Sequence, residues 1–364
     1  MPRDTVGDPE NYVQYKYGGN FAINTANIFS IYFMICYRKK TGKGFRYFDE
    51  HNKVITDAGL KEWFKSLVIP PAWKKVEINT SSRAKIWATG YDAKERKQYV
   101  YNTRFRKSRD DQKFDRIIRF AGRLEHMRRV TGQHLRKRKL SREKVLAVMV
   151  RLLETAFFRP GNDCYSKENE SYGLTTLRSR HLEINGSEMI FSYRGKSGQE
   201  QEKHITDARL TTIVKEIDEL PGYEIFKFID EDGNIHDVKS GDLNEYIRSV
   251  MGEAFSAKDF RTWAGTVIAA ITLDEMGAVR EKDQRKLKKN IRNAVIAVSE
   301  KLGNTPAIAR SSYIDTRIID NYIQGRTLGN FRREVNQLLK ANQSLSVEEL
   351  GVLCLLKRRL NKKD

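Results

Sequence analysis

The chain has 364 residues, 39% of them hydrophobic and 10% aromatic, which is apolar content for more than one folded core and excludes a largely disordered chain. Lysine and arginine number 67 against 47 aspartates and glutamates, a formal charge of +20 that points to a polyanionic partner, nucleic acid first. Cys36, Cys164 and Cys354 have neither metal-ligand spacing nor an even framework, which argues against a disulfide-built secreted scaffold and for a reducing, intracellular compartment.

In chain order, Met1–Asn20 is polar and glycine-containing and reads as a loose tail. Ile28–Tyr37 is nearly all apolar but too short to span a bilayer, and it follows polar rather than basic residues. It reads as a buried strand or helix, with no transmembrane segment or signal peptide expected. Up to Tyr101 the pattern is of short strands at Phe45–Phe48, Val76–Asn79, Lys85–Thr89 and Gln98–Tyr101, with a short helix over Asp57–Leu67 opened by an Asp cap. The polar stretch Asn102–Gln112 reads as a linker. From Arg104 to Lys144 there are 16 basic and five acidic residues, so much of the positive charge is local, as phosphate neutralisation requires.

Beyond the linker, helical spacing of apolar residues predicts helices over Ser141–Phe158, Phe260–Met276, Leu287–Leu302 and Phe331–Leu339. One β interruption stands among them. Leu182–Tyr193 alternates about Asn185-Gly186, a hairpin signal, and a second turn at Arg194–Gly198 leads to a third strand over Gln201–Ile205. Lys196 then projects from the tip of a three-stranded antiparallel sheet. The fold class expected is α+β: an extension over 1–36, a small mostly β domain over 37–103 and a larger mainly α domain over 104–364.

Transferring a phosphodiester to a protein needs a nucleophile, donors for the non-bridging oxygens and an acid for the leaving oxygen. No cluster of residues here resembles a metal site, and arginine forks are the metal-free substitute. Arg159 and Arg261 interrupt apolar surroundings (Phe157-Phe158-Arg159 and Phe260-Arg261-Thr262-Trp263) and read either as such forks or as structural arginines paired to carboxylates.

Distinctive segments run in order from about Tyr37 to Gly325: Ile69-Pro70-Pro71-Ala72-Trp73, Ala88-Thr89-Gly90-Tyr91-Asp92, Lys97-Gln98-Tyr99-Val100-Tyr101, Phe158-Arg159-Pro160-Gly161 and the run Lys167–Leu177. Gly195-Lys196-Ser197-Gly198, Lys258-Asp259-Phe260-Arg261-Thr262 and Leu302-Gly303-Asn304-Thr305-Pro306 follow, with Tyr313 last. By these motifs in this order the sequence resembles the type IB DNA topoisomerases of the poxvirus and bacterial kind. The resemblance implies that Tyr313 attacks DNA to form a 3′-phosphotyrosyl bond, that Arg159, Arg261 and Asn304 stabilise the transition state, and that Lys196 protonates the 5′ oxygen. It also implies that Lys97, Gln98, Tyr99, Tyr101, Tyr165, Lys167 and Lys258 contact DNA. The expectation is relaxation of duplex DNA by a monomer closing as a clamp, with no cofactor, no metal, no ATP, no membrane and no small-molecule substrate.

Two departures stand out. Poxvirus members carry histidine where Asn304 stands, whereas the bacterial members are similar in having Asn; Asn still donates a hydrogen bond but carries no charge. Poxvirus members also carry lysines at the positions of Asn162 and Cys164, which puts a strict poxvirus-like target sequence in doubt. A tyrosine recombinase shares the catalytic set but usually has histidine where Lys258 stands. A catalytically silent basic DNA-binding protein would account for the charge but not for Arg159, Lys196, Arg261 and Tyr313 together.

Overall fold

The computed structural model describes residues 34–42, 44–93, 95–161, 166, 170–252, 255–279, 283–341 and 344–357. The expectations placed on residues 1–33 and on Asn162, Cys164, Tyr165 and Lys167 lie outside the described residues. The described chain is mixed α and β, with a β sheet first and a larger helical region after it, and it divides into two compact units between Lys113 and Phe114.

In the first unit β1 (Ile35–Thr41), β2 (Gly44–Phe48), β3 (Lys74–Asn79), β4 (Ile86–Tyr91) and β5 (Lys97–Tyr101) form one antiparallel sheet in the order β2-β1-β3-β4-β5. The apolar run before Tyr37 thus supplies a strand from Ile35 onward. Alternation places Cys36, Val76, Ile78 and Ala88 on the covered face, where Phe64 of α1 (Ala58–Ser66) joins them. Asp57 caps α1 as expected, accepting the Leu60 N–H at 2.6 Å. The Ile69-Pro70-Pro71-Ala72-Trp73 segment is held by a buried arginine of β1. Arg38 donates to the carbonyls of Ile69, Pro70 and Trp73 at 2.8, 2.8 and 3.2 Å. That motif is therefore a brace of the sheet.

The stretch read as a linker is helical: α2 spans Thr103–His134 and takes in most of Asn102–Gln112. Between Thr103 and Ala121 there is no glycine or proline, and Arg, Lys and Gln favour helix. A polar composition fits a helix as well as a linker. Farther along α2, Ile117, Phe120, Leu124, Met127 and Thr131 recur at helical spacing and are buried.

The second unit continues with α3 (Arg142–Ala156) and then the expected sheet of β6 (Leu182–Asn185), β7 (Glu188–Arg194) and β8 (Glu200–Thr206). Next come α4 (Ala208–Asp218), the pair β9 (Lys227–Ile229) and β10 (Ile235–Asp237), α5 (Ser240–Met251) and α6 (Ala257–Glu275). The chain ends in α7 (Gln284–Leu302), α8 (Pro306–Ser312), α9 (Thr316–Ile323), α10 (Arg332–Ala341) and α11 (Val347–Lys357). Helix α6 is buried along much of its length, and Phe260 meets Phe120 edge-on at 4.9 Å between ring centroids. Among the described residues no helix is long and apolar enough to cross a membrane.

Candidate active site

Helix α7 stops at Leu302, and Gly303 caps it in the left-handed region at φ +59°, a conformation that favours glycine. The last carbonyls of a helix have no partner within it and lie at the negative end of its dipole. Cations from other elements take them here. Arg261, in the second turn of α6, donates through Nη2 to the Leu302 carbonyl at 2.8 Å and through Nη1 to the Phe157 carbonyl. Arg159, just past α3, donates through Nη2 to the Gly303 carbonyl at 2.7 Å and to Asn304 Oδ1. Lys203 on β8 donates through Nζ to the Lys301 carbonyl at 3.1 Å.

Each cation is placed by local backbone. Phe157 ends α3 at φ +58°, so the chain turns there and aims its carbonyl at Arg261. Arg159 is pinned from the other side, because its carbonyl accepts the Leu174 N–H and the Pro160 carbonyl accepts the Thr175 N–H, both at 2.8 Å. The segments Phe158–Gly161 and Gly173–Thr175 are thus one structural unit, which accounts for the two motifs occurring together.

Tyr313 follows α8, whose start is set by the Thr305 cap and by Pro306 at the first helical position. The Arg261 guanidinium carbon lies 5.1 Å from the Tyr313 ring centroid. Burial would raise the Tyr313 pKa, but the charge of Arg261 and its hydrogen bond, followed by Arg159 and Lys258, outweigh burial and hold the phenol below its ordinary value. Tyr193, beside the same arginines, goes the other way: burial pushes it up to about 12. Of the two phenols, only Tyr313 is tuned toward the nucleophilic form. Burial, then repulsion from Arg261, lowers the Arg159 pKa. Arg261 Nε and Asn304 Nδ2 are buried without a partner among the described residues. Orphan donors beside clustered like charges are what an anion would complete.

Lys196 sits in a single 3-10 turn, Lys196–Gly198, at the tip between β7 and β8, and is exposed. Lys258 is exposed in the first turn of α6, and its charge reaches Tyr313. The structure therefore brings Arg159, Arg261, Asn304 and Tyr313 together and sets Lys258 near them. In the first unit, strand parity divides the expected DNA-contact set. Lys97, Tyr99 and Tyr101 are exposed on one face of β5, with the tyrosine rings 6.0 Å apart. Gln98 lies on the other face, where its Nε2 donates to Asp92 at 3.0 Å. Sequence reasoning missed Lys203. Its signal was a lysine in the inward-facing row Gln201, Lys203, Ile205 of a predicted strand, where an apolar or amide residue belongs.

The comparisons with known proteins bear on this geometry. A family model described as "Eukaryotic DNA topoisomerase I, catalytic core" matches residues 102–340, and one described as "Bacterial DNA topoisomerase IB, N-terminal domain" matches residues 44–92. The chain is 31% identical to DNA topoisomerase 1B of Acanthamoeba polyphaga mimivirus over 292 residues, 79% of this chain and 87% of that protein. It is 25% identical to DNA topoisomerase 1B of Vaccinia virus (strain Copenhagen) over 234 residues, 64% of this chain and 70% of that protein.

Proposed function

Because the chain belongs to the type IB DNA topoisomerase family, whose members are isomerases acting on DNA, we propose that it cuts and reseals one strand of a duplex at the cluster on the end of α7. The observation that carries this reading is the assembly of Arg159, Arg261, Asn304 and Tyr313, with the Tyr313 phenol held below its ordinary pKa.

In the proposed reaction Tyr313 Oη attacks the scissile phosphorus. An Oη–P bond forms to the 3′ side and the P–O5′ bond breaks. The phenolic proton is lost, and Lys196 donates a proton to the leaving 5′ oxygen, so a diester and a hydroxyl replace a diester and a phenol. Arg159, Arg261 and the free amide of Asn304 take the non-bridging oxygens as charge builds on them. The phosphotyrosyl diester keeps the bond energy, so religation is the same path in reverse and needs no nucleotide. In this reading the two units close around duplex DNA as a clamp, Lys97, Tyr99 and Tyr101 meet DNA from the first unit, and a monomer suffices inside the cell.

The test is relaxation of supercoiled plasmid in EDTA without nucleotide. Supercoils of both signs should relax, and denaturation should trap a covalent protein–DNA adduct that Tyr313→Phe abolishes. An absolute need for magnesium or ATP would sink the proposal. Tyr322 is a poor substitute nucleophile, since it is 1% exposed and its hydroxyl is spent on the Gly277 carbonyl and on Asn290. Recombined rather than relaxed products would favour a tyrosine recombinase.

A further inference from the structure

Three successive carbonyls at the end of α7, those of Lys301, Leu302 and Gly303, receive Lys203, Arg261 and Arg159 in turn. The roles of the two arginines follow from the reading above; that of Lys203 does not. We propose that Lys203 is a third phosphate-binding cation of this site, its ammonium taking a non-bridging oxygen of the phosphodiester that Arg159 and Arg261 hold. The proposal rests on the reading of this cluster as the strand-cleaving site.

The strand dictates the direction of the side chain. In β8, Gln201 and Ile205 are buried, and period two puts Lys203 in the same inward row, opposite Phe191 of β7. Phe191 and Tyr193 pack on Phe158, at 5.3 and 5.9 Å between ring centroids, directly before Arg159. The lysine stem therefore runs from the sheet toward the helix end, and its ammonium stops at the Lys301 carbonyl. That contact uses one of three N–H donors.

The charges that act on Lys203 are Arg261, Arg159 and Lys301, all of them cations. Burial first, and then these neighbours, push its pKa down to about 8. Lys203 is half-buried between the buried Gln201 and Ile205, and an ammonium held there beside like charges is stabilised by an anion that completes the group. The bland alternative is a C-terminal helix cap, since a lysine on the last carbonyls of a helix is favourable in itself. Capping and phosphate binding differ in what they do to cleavage.

Only protonated Lys203 can bind phosphate, and a bound phosphate raises its pKa above the free-site value. Cleavage should thus be fully supported at neutral pH and decline as pH rises through and beyond 8.

The experiment compares wild type, Lys203→Met, Lys203→Arg and Lys196→Ala in single-turnover cleavage of a short duplex whose released strand diffuses away, with thermal melts of each protein. An ionic hydrogen bond lost at a reacting phosphate corresponds to a rate loss of roughly tenfold to hundredfold. Lys203→Met should show that loss at neutral pH on an ordinary duplex. It should show it equally on a duplex whose bridging 5′ oxygen is sulfur, which leaves without a proton and rescues Lys196→Ala. Lys203→Arg should restore most of the rate and extend it to alkaline pH. The proposal is overturned if Lys203→Met cleaves at the wild-type rate, whether or not it melts lower, because the lysine is then only a cap. It is also overturned if the defect vanishes on the sulfur substrate, which would make Lys203 the proton donor. If wild type itself forms no adduct, the reading of the site fails first, and that outcome is separate from either of these.

Discussion

The position of the Tyr313 hydroxyl depends on a residue with no side chain. Gly265 of α6 faces the chain at Tyr313. A Cβ there would lie 2.7 Å from the Tyr313 carbonyl oxygen and 3.0 Å from its Cβ, which is backbone that cannot swing aside. The adjoining Thr266 hydroxyl accepts the Asp315 N–H at 3.2 Å, so the segment is tied to α6 at that level. Gly265→Ala should push Tyr313 off its line. A misplacement near 1 Å costs about a hundredfold in rate, so single-turnover cleavage should fall by roughly that factor. DNA affinity, measured by anisotropy, should stay within about threefold, because the phosphate contacts remain. Unchanged cleavage would show that this contact does not position the nucleophile. At this scale the sequence was informative about identities: arginines inside apolar runs are conspicuous. It was silent on the carbonyls that aim them, since every residue carries one. It could not have singled out Tyr313 from 16 tyrosines without its motif neighbours.

Helix α11 is held down by charge as well as by apolar packing. Glu349 accepts Arg128 Nη1 and Nη2 at 2.9 and 2.7 Å and Trp263 Nε1 at 3.1 Å, while Arg128 Nε reaches Glu154 at 2.6 Å. This network joins α2, α3, α6 and α11, and Trp263 stands two residues from Arg261. Burial alone would raise the Glu349 carboxyl; Arg128, the Ser346 N–H and Trp263 outweigh it and hold the pKa below the usual range. A carboxyl lowered in the folded state contributes stability above its unfolded pKa and loses it as pH falls through the folded value. Glu349→Gln leaves a mostly buried arginine half-paired. It should cost about 3 kcal/mol and lower the melting temperature by roughly 6–12 °C at neutral pH. The difference from wild type should fade below about pH 4. Equal melts at neutral pH would show that the pair contributes nothing net.

Elements were legible where their period was long or their turn chemistry strong. Helices α3, α6 and α7 and the three strands about Asn185-Gly186 fall where the pattern places them. The start of α2 was not legible, because a charged helix and a polar linker share a composition. Short helices such as α8 and α9 were missed for another reason: seven or eight residues give two turns, too few for a period to declare itself.

For the whole molecule, affinity for duplex DNA should come mainly from its basic surface. Residues 136–139, between α2 and α3, are all exposed, but Lys137 Nζ already lies 3.1 Å from Glu143. Arg136 and Arg138 are therefore the better pair, since a lysine held by a carboxylate releases fewer counterions. Each phosphate neutralised contributes about −0.9 to the slope of log K against log salt. Arg136→Ala with Arg138→Ala should accordingly flatten the slope by about 1 to 2 if both reach phosphate. The sites of cleavage should not change, because phosphate contacts position a protein and base contacts specify sequence. Tyr99→Ala should do the reverse. Tyr99 is 43% exposed, and its ring stacks toward Tyr101 and Phe105, an apolar ladder suited to sugar and base edges rather than to phosphate. It should alter the cleavage pattern on a long duplex and leave the salt slope intact. Gln98→Ala should act less directly, through the loss of its hydrogen bond to Asp92. Binding titrations at several salt concentrations, paired with cleavage maps on one duplex, separate these effects. An unchanged slope in the double mutant would move residues 136–139 off the DNA, and an unchanged cleavage map in Tyr99→Ala would do the same for β5.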